Sequence, residues 1–150
     1  MFSEYMSDFL EYLEVEKGRS LKTIENYSLY LNRFIEFTDD IKVSKITSQT
    51  ISKWRQWLNR HTSEDGRTMG KATQNYHLIA MRSFLKYLAR RDIDSLAPEK
   101  IELATSTRPQ VSFLNIEEVT MLFEAIDTND VMGLRDLAIV ELLFSTGLRV

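Results

Sequence analysis

The chain has 150 residues, 43% of them hydrophobic, with no cysteine and a net charge of −3. The lack of cysteine excludes disulfides, thiolate metal sites and thiol nucleophiles, and no low-complexity tract points to disorder. No apolar run approaches the roughly 20 residues of a membrane span, and the start Met1-Phe2-Ser3-Glu4-Tyr5 is acidic and amphipathic, unlike a signal peptide. A soluble, cytoplasmic protein is expected, of one domain or of a small domain and part of another.

Phe2, Met6, Phe9, Leu10 and Leu13 recur at helical spacing until Gly18 stops them. Ser20 is a good N-cap for a second helix to about Thr38, with Ile24, Tyr27, Leu31, Phe34 and Ile35 along one side. Thr47 caps a third, whose inward residues are Ile51, Trp54 and Leu58 and which ends near Arg60. The polar stretch from His61 to Gly70, with two glycines, reads as a loop. A fourth helix covers about Lys71 to Arg91, and no strand-like alternation occurs up to that point.

Between Ile93 and Phe113 the pattern dissolves around Pro98 and Pro109, the only two prolines, so 92–112 reads as a linker. Asn115 and Glu118 have the spacing of a capping box ahead of a helix through Ile116, Val119, Leu122, Phe123 and Ile126. The last helix, about Leu134 to Ser145, is apolar nearly all round, the mark of a helix buried inside a domain. Residues 113–150 supply too little material to bury it, and Gly147 suits the left-handed residue that closes a helix. The expected organisation is all-α: a four-helix unit over 1–91, the linker, and two helices over 113–150 that open a further domain.

The charge is segregated. Residues 1–41 carry −5, residues 42–91 carry +9 and residues 92–150 carry −7, so an acidic chain makes a local positive field in its middle. The second and fourth helices also echo each other: Lys22, Asn26, Tyr27, Leu29 and Arg33 recur as Lys71, Asn75, Tyr76, Leu78 and Arg82. At 100° per residue the Lys, Asn and Arg of each set fall within about 40° of arc. Thr23 and Thr73 stand at the start of the same helices, and Lys86 and Arg90 extend the stripe on the fourth.

Lys and Arg neutralise phosphates, and Asn contacts phosphate or the edge of adenine. A helix of this length is roughly 30 Å long, enough to cross a groove. Double-stranded DNA is therefore the expected partner. The plainer alternative is two amphipathic helices with solvated faces, whose tyrosines and leucines match through core packing.

Four blocks carry a family resemblance: Ser20-Leu-Lys-Thr23-x-x-x-Tyr27, Ala80-Met-Arg82-Ser-Phe84-Leu-Lys-Tyr87-Leu-Ala-Arg, Phe113-Leu-Asn-Ile-Glu-Glu, and Arg135-Asp-x-Ala-x-x-x-Leu-Leu-x-x-Thr146-Gly-Leu-Arg149. The last resembles the first conserved box of the tyrosine recombinases, the Xer and phage-integrase family, and the resemblance covers essentially the whole chain. It implies a SAM-like core-binding bundle over 1–91 whose second and fourth helices meet DNA. It also implies site-specific recombination without a cofactor, in which a tyrosine attacks a DNA phosphate and strands are exchanged through a Holliday junction. Arg149 matches the arginine that grips the scissile phosphate, a task suited to a planar, always-charged fork. Homo- or hetero-oligomers on DNA, and association with the nucleoid when bound, are implied as well.

The family's remaining catalytic residues, the nucleophilic tyrosine included, lie downstream of that box. Tyr5, Tyr12, Tyr27, Tyr30, Tyr76 and Tyr87 all precede the linker and read as core or groove residues. The 150 residues alone are therefore expected not to cleave DNA. Two other classes stand beside the enzyme reading: a non-catalytic DNA-binding module that occupies recombination sites, and an acidic helical protein-interaction domain. Other chemistries have little support. His61 and His77 are poorly placed for a metal, no glycine loop for phosphate occurs, and Ser145 has no histidine base within the last 70 residues. Trp54 and Trp57 share a helix face and read as core. No metal, cofactor, small-molecule substrate or membrane partner is expected.

Overall fold

A computed structural model of the chain describes residues 1–61, 66, 68–105 and 112–148. It is all-α, with helices α1 (Phe2–Val15), α2 (Leu21–Thr38), α3 (Ser48–Arg60), α4 (Lys71–Ala89), α5 (Ile116–Glu124) and α6 (Val131–Thr146), and 3₁₀ turns at Val43–Lys45 and Pro98–Lys100. Apart from a single bridge residue, Thr68, the described residues contain no strand.

Local hydrogen bonding sets most helix ends. The Ser20 hydroxyl accepts from the Thr23 N–H to open α2, and Thr47 and Thr50 cap α3 reciprocally. At α5 the Asn115 side chain accepts from the Glu118 N–H at 2.8 Å while the Glu118 carboxylate accepts from the Asn115 N–H at 2.7 Å. Gly147 closes α6 at φ 63°, its N–H donating to Leu143. Helix α6 starts at Val131 rather than near Leu134, because Asp130 caps it by accepting from the Gly133 N–H at 2.7 Å. Gly133 has no room for a side chain: a Cβ there would run into the Asp127 carbonyl.

Helix α1 borrows its N-terminal cap from the far end of α2. The Asp40 carboxylate accepts from the Ser3 N–H at 2.8 Å and the Ser3 hydroxyl at 2.7 Å, and the Ile41 carbonyl accepts from the Phe2 N–H. The Ser3 hydroxyl and backbone bonds hold the Asp40 carboxyl below the usual carboxylate range.

The chain divides into two compact units, Met1–Thr107 and Arg108–Val150. In the first, α4 is the central element: Leu78, Met81, Phe84, Leu85 and Leu88 are all buried. The Phe84 ring lies 4.6 Å from Phe2 and 5.5 Å from Phe9 of α1, centroid to centroid. Phe34 of α2 bridges Phe2 and Trp54 of α3 at 5.0 Å each.

This unit continues past Arg91. Leu96 and Ile101 are buried, Ile93 packs against the core, and the Pro98–Lys100 turn packs on α4. The stretch read as linker from residue 92 is thus folded onto the bundle through residue 105, while residues 106–111 and Pro109 lie outside the described residues. In the second unit α5 packs on α6 through an edge-to-face pair, Phe123 and Phe144, at 5.8 Å, and Val119 of α5 is buried. Helix α6 has no buried residue, and Leu142 is 56% exposed, so its apolar surface is not covered within residues 112–148. No helix among the described residues is long and apolar enough to cross a membrane.

Candidate nucleic-acid interface

Burial of one side of α4 leaves its basic residues on the other. Lys71 and Lys86 are exposed, Arg82 is half-buried, and none of the three has a hydrogen-bond or ion-pair partner among the described residues. Cations at a surface without carboxylates to neutralise them are the electrostatic footprint of a polyanion site. On α2, Asn26 is likewise unengaged, whereas Lys22 pairs with Glu25 at 3.0 Å. Such an exposed pair is weak and readily exchanged. Thr23 is occupied in the α2 cap.

Three other candidates have partners within the fold. Asn75 faces the backbone of the following segment: its Nδ2 donates to the Ala104 carbonyl at 2.8 Å and its Oδ1 accepts from the Ala104 N–H at 3.0 Å. This pairing imitates a strand ladder and ties residue 104 to α4, so Asn75 is not the open DNA-facing amide that the sequence repeat suggests. Arg90 donates to the Tyr12 hydroxyl at 3.2 Å. Arg33 points its Nη1 at His77 Nε2, 2.9 Å away.

His77 was not legible as a site residue, since its partner stands 44 positions earlier. A guanidinium only donates, so Nε2 must accept, and the proton sits on Nδ1, which donates to the Thr73 carbonyl at 2.8 Å. The ring is fully buried against Tyr30 and Trp54. Burial first, and the Arg33 charge after it, pull its pKa below the ordinary histidine value, opposed by the bond to Thr73. Neutral His77 thereby holds Arg33 in place from within the core.

The folded state disfavours protonated His77, whereas the unfolded chain takes up the proton near pH 6.5. Stability is complete above that value and falls as the pH drops from it towards the lowered folded value, by at most about 1.4 kcal/mol per pH unit for one proton. Urea midpoints between pH 7.5 and 5.5 should show this loss in wild type and not in His77→Gln; equal pH slopes would refute it.

The repeat between α2 and α4 does not place its apolar members alike. Leu29 is 49% exposed where Leu78 is 2% exposed, and Tyr76 is 55% exposed where Tyr27 packs against the core. The basic positions are shared, the packing positions are not, so common core packing does not explain the echo. Of the other tyrosines, Tyr5, Tyr12 and Tyr30 are half-buried against the core and Tyr87 is buried. Trp54 is buried and Trp57 packs on the core, stacked on His61 at 4.7 Å.

Where α1, α2 and the end of α4 meet there is a pocket of about 130 Å³, lined by Lys17, Arg19, Lys86 and Arg90 together with Tyr12 and Tyr27. Lys17 stands 5.3 Å from the Tyr12 ring. Burial pushes the Tyr12 phenol up, but the hydrogen bonds and charges of Lys17 and Arg90 outweigh it and hold the group below the ordinary tyrosine value. The two cations that flank Gly18 are the signal in the sequence, set apart from the stripes on α2 and α4. Arg149 lies outside the described residues. Among the described residues no group of three or more His, Asp or Glu side chains is placed to hold a metal ion.

Residues 6–92 match the phage integrase N-terminal SAM-like domain. The chain belongs to this family. A SAM-like phage-integrase domain accounts for the first unit up to the close of α4, and similarity to known proteins continues beyond it. The chain is 31% identical over 147 residues to tyrosine recombinase XerC of Oceanobacillus iheyensis, which covers 97% of this chain and 47% of the relative. It is 32% identical over 155 residues to tyrosine recombinase XerD of Listeria innocua, covering 99% and 50%. The crystal structure of XerA recombinase superposes with a TM-score of 0.54 at 27% identity, over 99% of this chain and 48% of that one. The chain thus spans about half the length of the curated relatives it matches.

Proposed function

We propose that the chain forms the DNA-gripping part of a site-specific tyrosine recombinase and carries, at Arg149, the first arginine of its catalytic centre. The observation that carries this reading is the row of cations on α4, Lys71, Arg82 and Lys86, without partners among the described residues, in a SAM-like integrase domain whose relatives are recombinases. In this reading α4 lies along double-stranded DNA with its basic side against the phosphates, and Asn26 of α2 with Arg33 adds contacts from the neighbouring helix. Arg33 arrives preorganised, because His77 fixes its guanidinium before DNA is met.

Chemistry belongs to the complete recombinase. There a tyrosine displaces a DNA oxygen and forms a 3′-phosphotyrosyl bond that stores the energy for rejoining. Arg149 stabilises the charge building on the non-bridging oxygens, the kind of preorganised donation that contributes most to such steps. Assembly on the site and passage through a Holliday junction follow from the same reading.

Fluorescence anisotropy with a labelled duplex, titrated with salt, tests the DNA-gripping role. Binding should weaken with a log–log slope of several units, about 0.9 per phosphate neutralised; no binding at the lowest salt would overturn it. The 150-residue chain should leave a nicked suicide substrate uncut and form no covalent adduct on a denaturing gel. An adduct would place a nucleophile among its six tyrosines and defeat the division of labour proposed here.

A further inference from the structure

We propose that the pocket between the end of α1, α2 and the last turns of α4 is a binding site for a single phosphate group, supplied by the DNA backbone. The choice of DNA as its source rests on the recombinase reading above.

Four cations from two separate stretches converge there. Lys17 and Arg19 flank Gly18, whose φ of 55° makes the turn between α1 and α2, while Lys86 and Arg90 come from the last turns of α4. No carboxylate among the described residues lines the pocket. The nearby acid that follows α1, Glu16, is paired at 3.5 Å with Arg91, whose guanidinium lies over the Tyr87 ring at 3.9 Å. Arg19 and Lys86 have no partner among the described residues, and Lys17 and Arg90 have only Tyr12. Four like charges around one cavity repel one another, and nothing among the described residues pairs with them except the Tyr12 phenol. An external anion neutralises them.

The donor set selects the anion. Two guanidiniums offer planar forks that grip two oxygens each, and the hydroxyls of Tyr12, Tyr27 and Ser83 add donors from three helices. Donors arriving from several directions suit a tetrahedral group with oxygens on every side better than a flat carboxylate. A volume of about 130 Å³ is ample for one phosphate group. The pocket continues the α4 stripe at its C-terminal end and extends the phosphate footprint to the α1–α2 turn.

The test uses the full 150-residue chain carrying Lys17→Gln and Arg19→Gln. Both positions are exposed, so the fold is retained, and the cations on the face of α4 are untouched. In salt-titrated anisotropy the log–log slope should become shallower by about 0.9, the value of one phosphate, with affinity down roughly tenfold at 50 mM salt. The charge-keeping pair Lys17→Arg and Arg19→Lys should retain the wild-type slope. An unchanged slope in the glutamine variant overturns the pocket and leaves the DNA reading intact.

A second arm adds inorganic phosphate at constant ionic strength and follows amide NMR shifts. Shifts at Lys17, Arg19, Lys86 and Arg90 that vanish in the glutamine variant support the site, and their absence in wild type counts against it. If wild type binds no duplex, the DNA backbone is rejected as the source and the recombinase reading with it. The phosphate titration alone then upholds or rejects the site.

Discussion

Replacing Phe84 by alanine should remove about 3–5 kcal/mol from the stability of the first unit, the usual penalty for excising a buried aromatic ring. Phe84 is fully buried at the centre of α4, where its ring meets Phe2 and Phe9 at 4.6 and 5.5 Å. Those two phenylalanines anchor α1, a helix of 14 residues that is marginal without tertiary packing. The vacated volume cannot collapse easily, because Phe2 is also held by Phe34 and by the backbone bond from its N–H to Ile41. For a domain whose whole margin is typically about 5–15 kcal/mol, such a loss leaves little. Both tryptophans lie in α3, so their fluorescence reports unfolding of the first unit alone. With a urea m-value of about 2 kcal/mol/M the midpoint should fall by roughly 2 M, and a shift below about 0.5 M would show that α4 is not the keystone described.

The largest expected change in binding comes from Lys71→Ala, Arg82→Ala and Lys86→Ala combined. Each removes a cation that has no carboxylate partner among the described residues, so little internal stabilisation is lost with it. Each phosphate contact contributes about 0.9 to the log–log salt slope, so the slope should drop by up to about 2.7 and the affinity at 50 mM salt on the order of a thousandfold. The loss should be the same for every duplex sequence, since phosphate contacts carry no base information. Measurements belong at pH 7.5, where His77 is neutral and Arg33 stays seated. An affinity within threefold of wild type, at an unchanged slope, would turn the basic face of α4 into a merely solvated surface. Lys86 serves both this face and the pocket beside Tyr12, so the triple and the Lys17/Arg19 variants should not add independently.

What the sequence disclosed is local. Ser20, Thr47 and Asn115 each satisfy N–H groups within three residues, and Gly147 takes a left-handed angle that other residues resist, so these helix ends are written in short patterns. The basic face of α4 could be read because helical geometry alone places Lys71, Arg82 and Lys86 on one side. What escaped is tertiary. Leu96 and Ile101 look like stray apolar residues in a proline-marked linker until the surface of α4 is there to receive them. The His77–Arg33 bond, the Ser3–Asp40 cap and the meeting of Lys17 and Arg19 with Lys86 and Arg90 join residues dozens of positions apart. The α2–α4 echo misled about packing because burial of Leu78 and exposure of Leu29 depend on what each helix faces, which five matching letters do not encode.

The twin hydrogen bonds between Asn75 and Ala104 have a thermodynamic consequence. One amide group cannot hold a backbone segment and a groove edge at once. Any ligand that claims the Asn75 amide must first release Ala104, at a cost of about 0.5–1.5 kcal/mol for each bond given up. The coupling is reciprocal: whatever strengthens the anchoring of residue 104 weakens such a ligand by the same factor. The segment leading away from α4 and the surface of α4 are therefore linked energetically, and a change on one side is felt on the other without any movement of the helix.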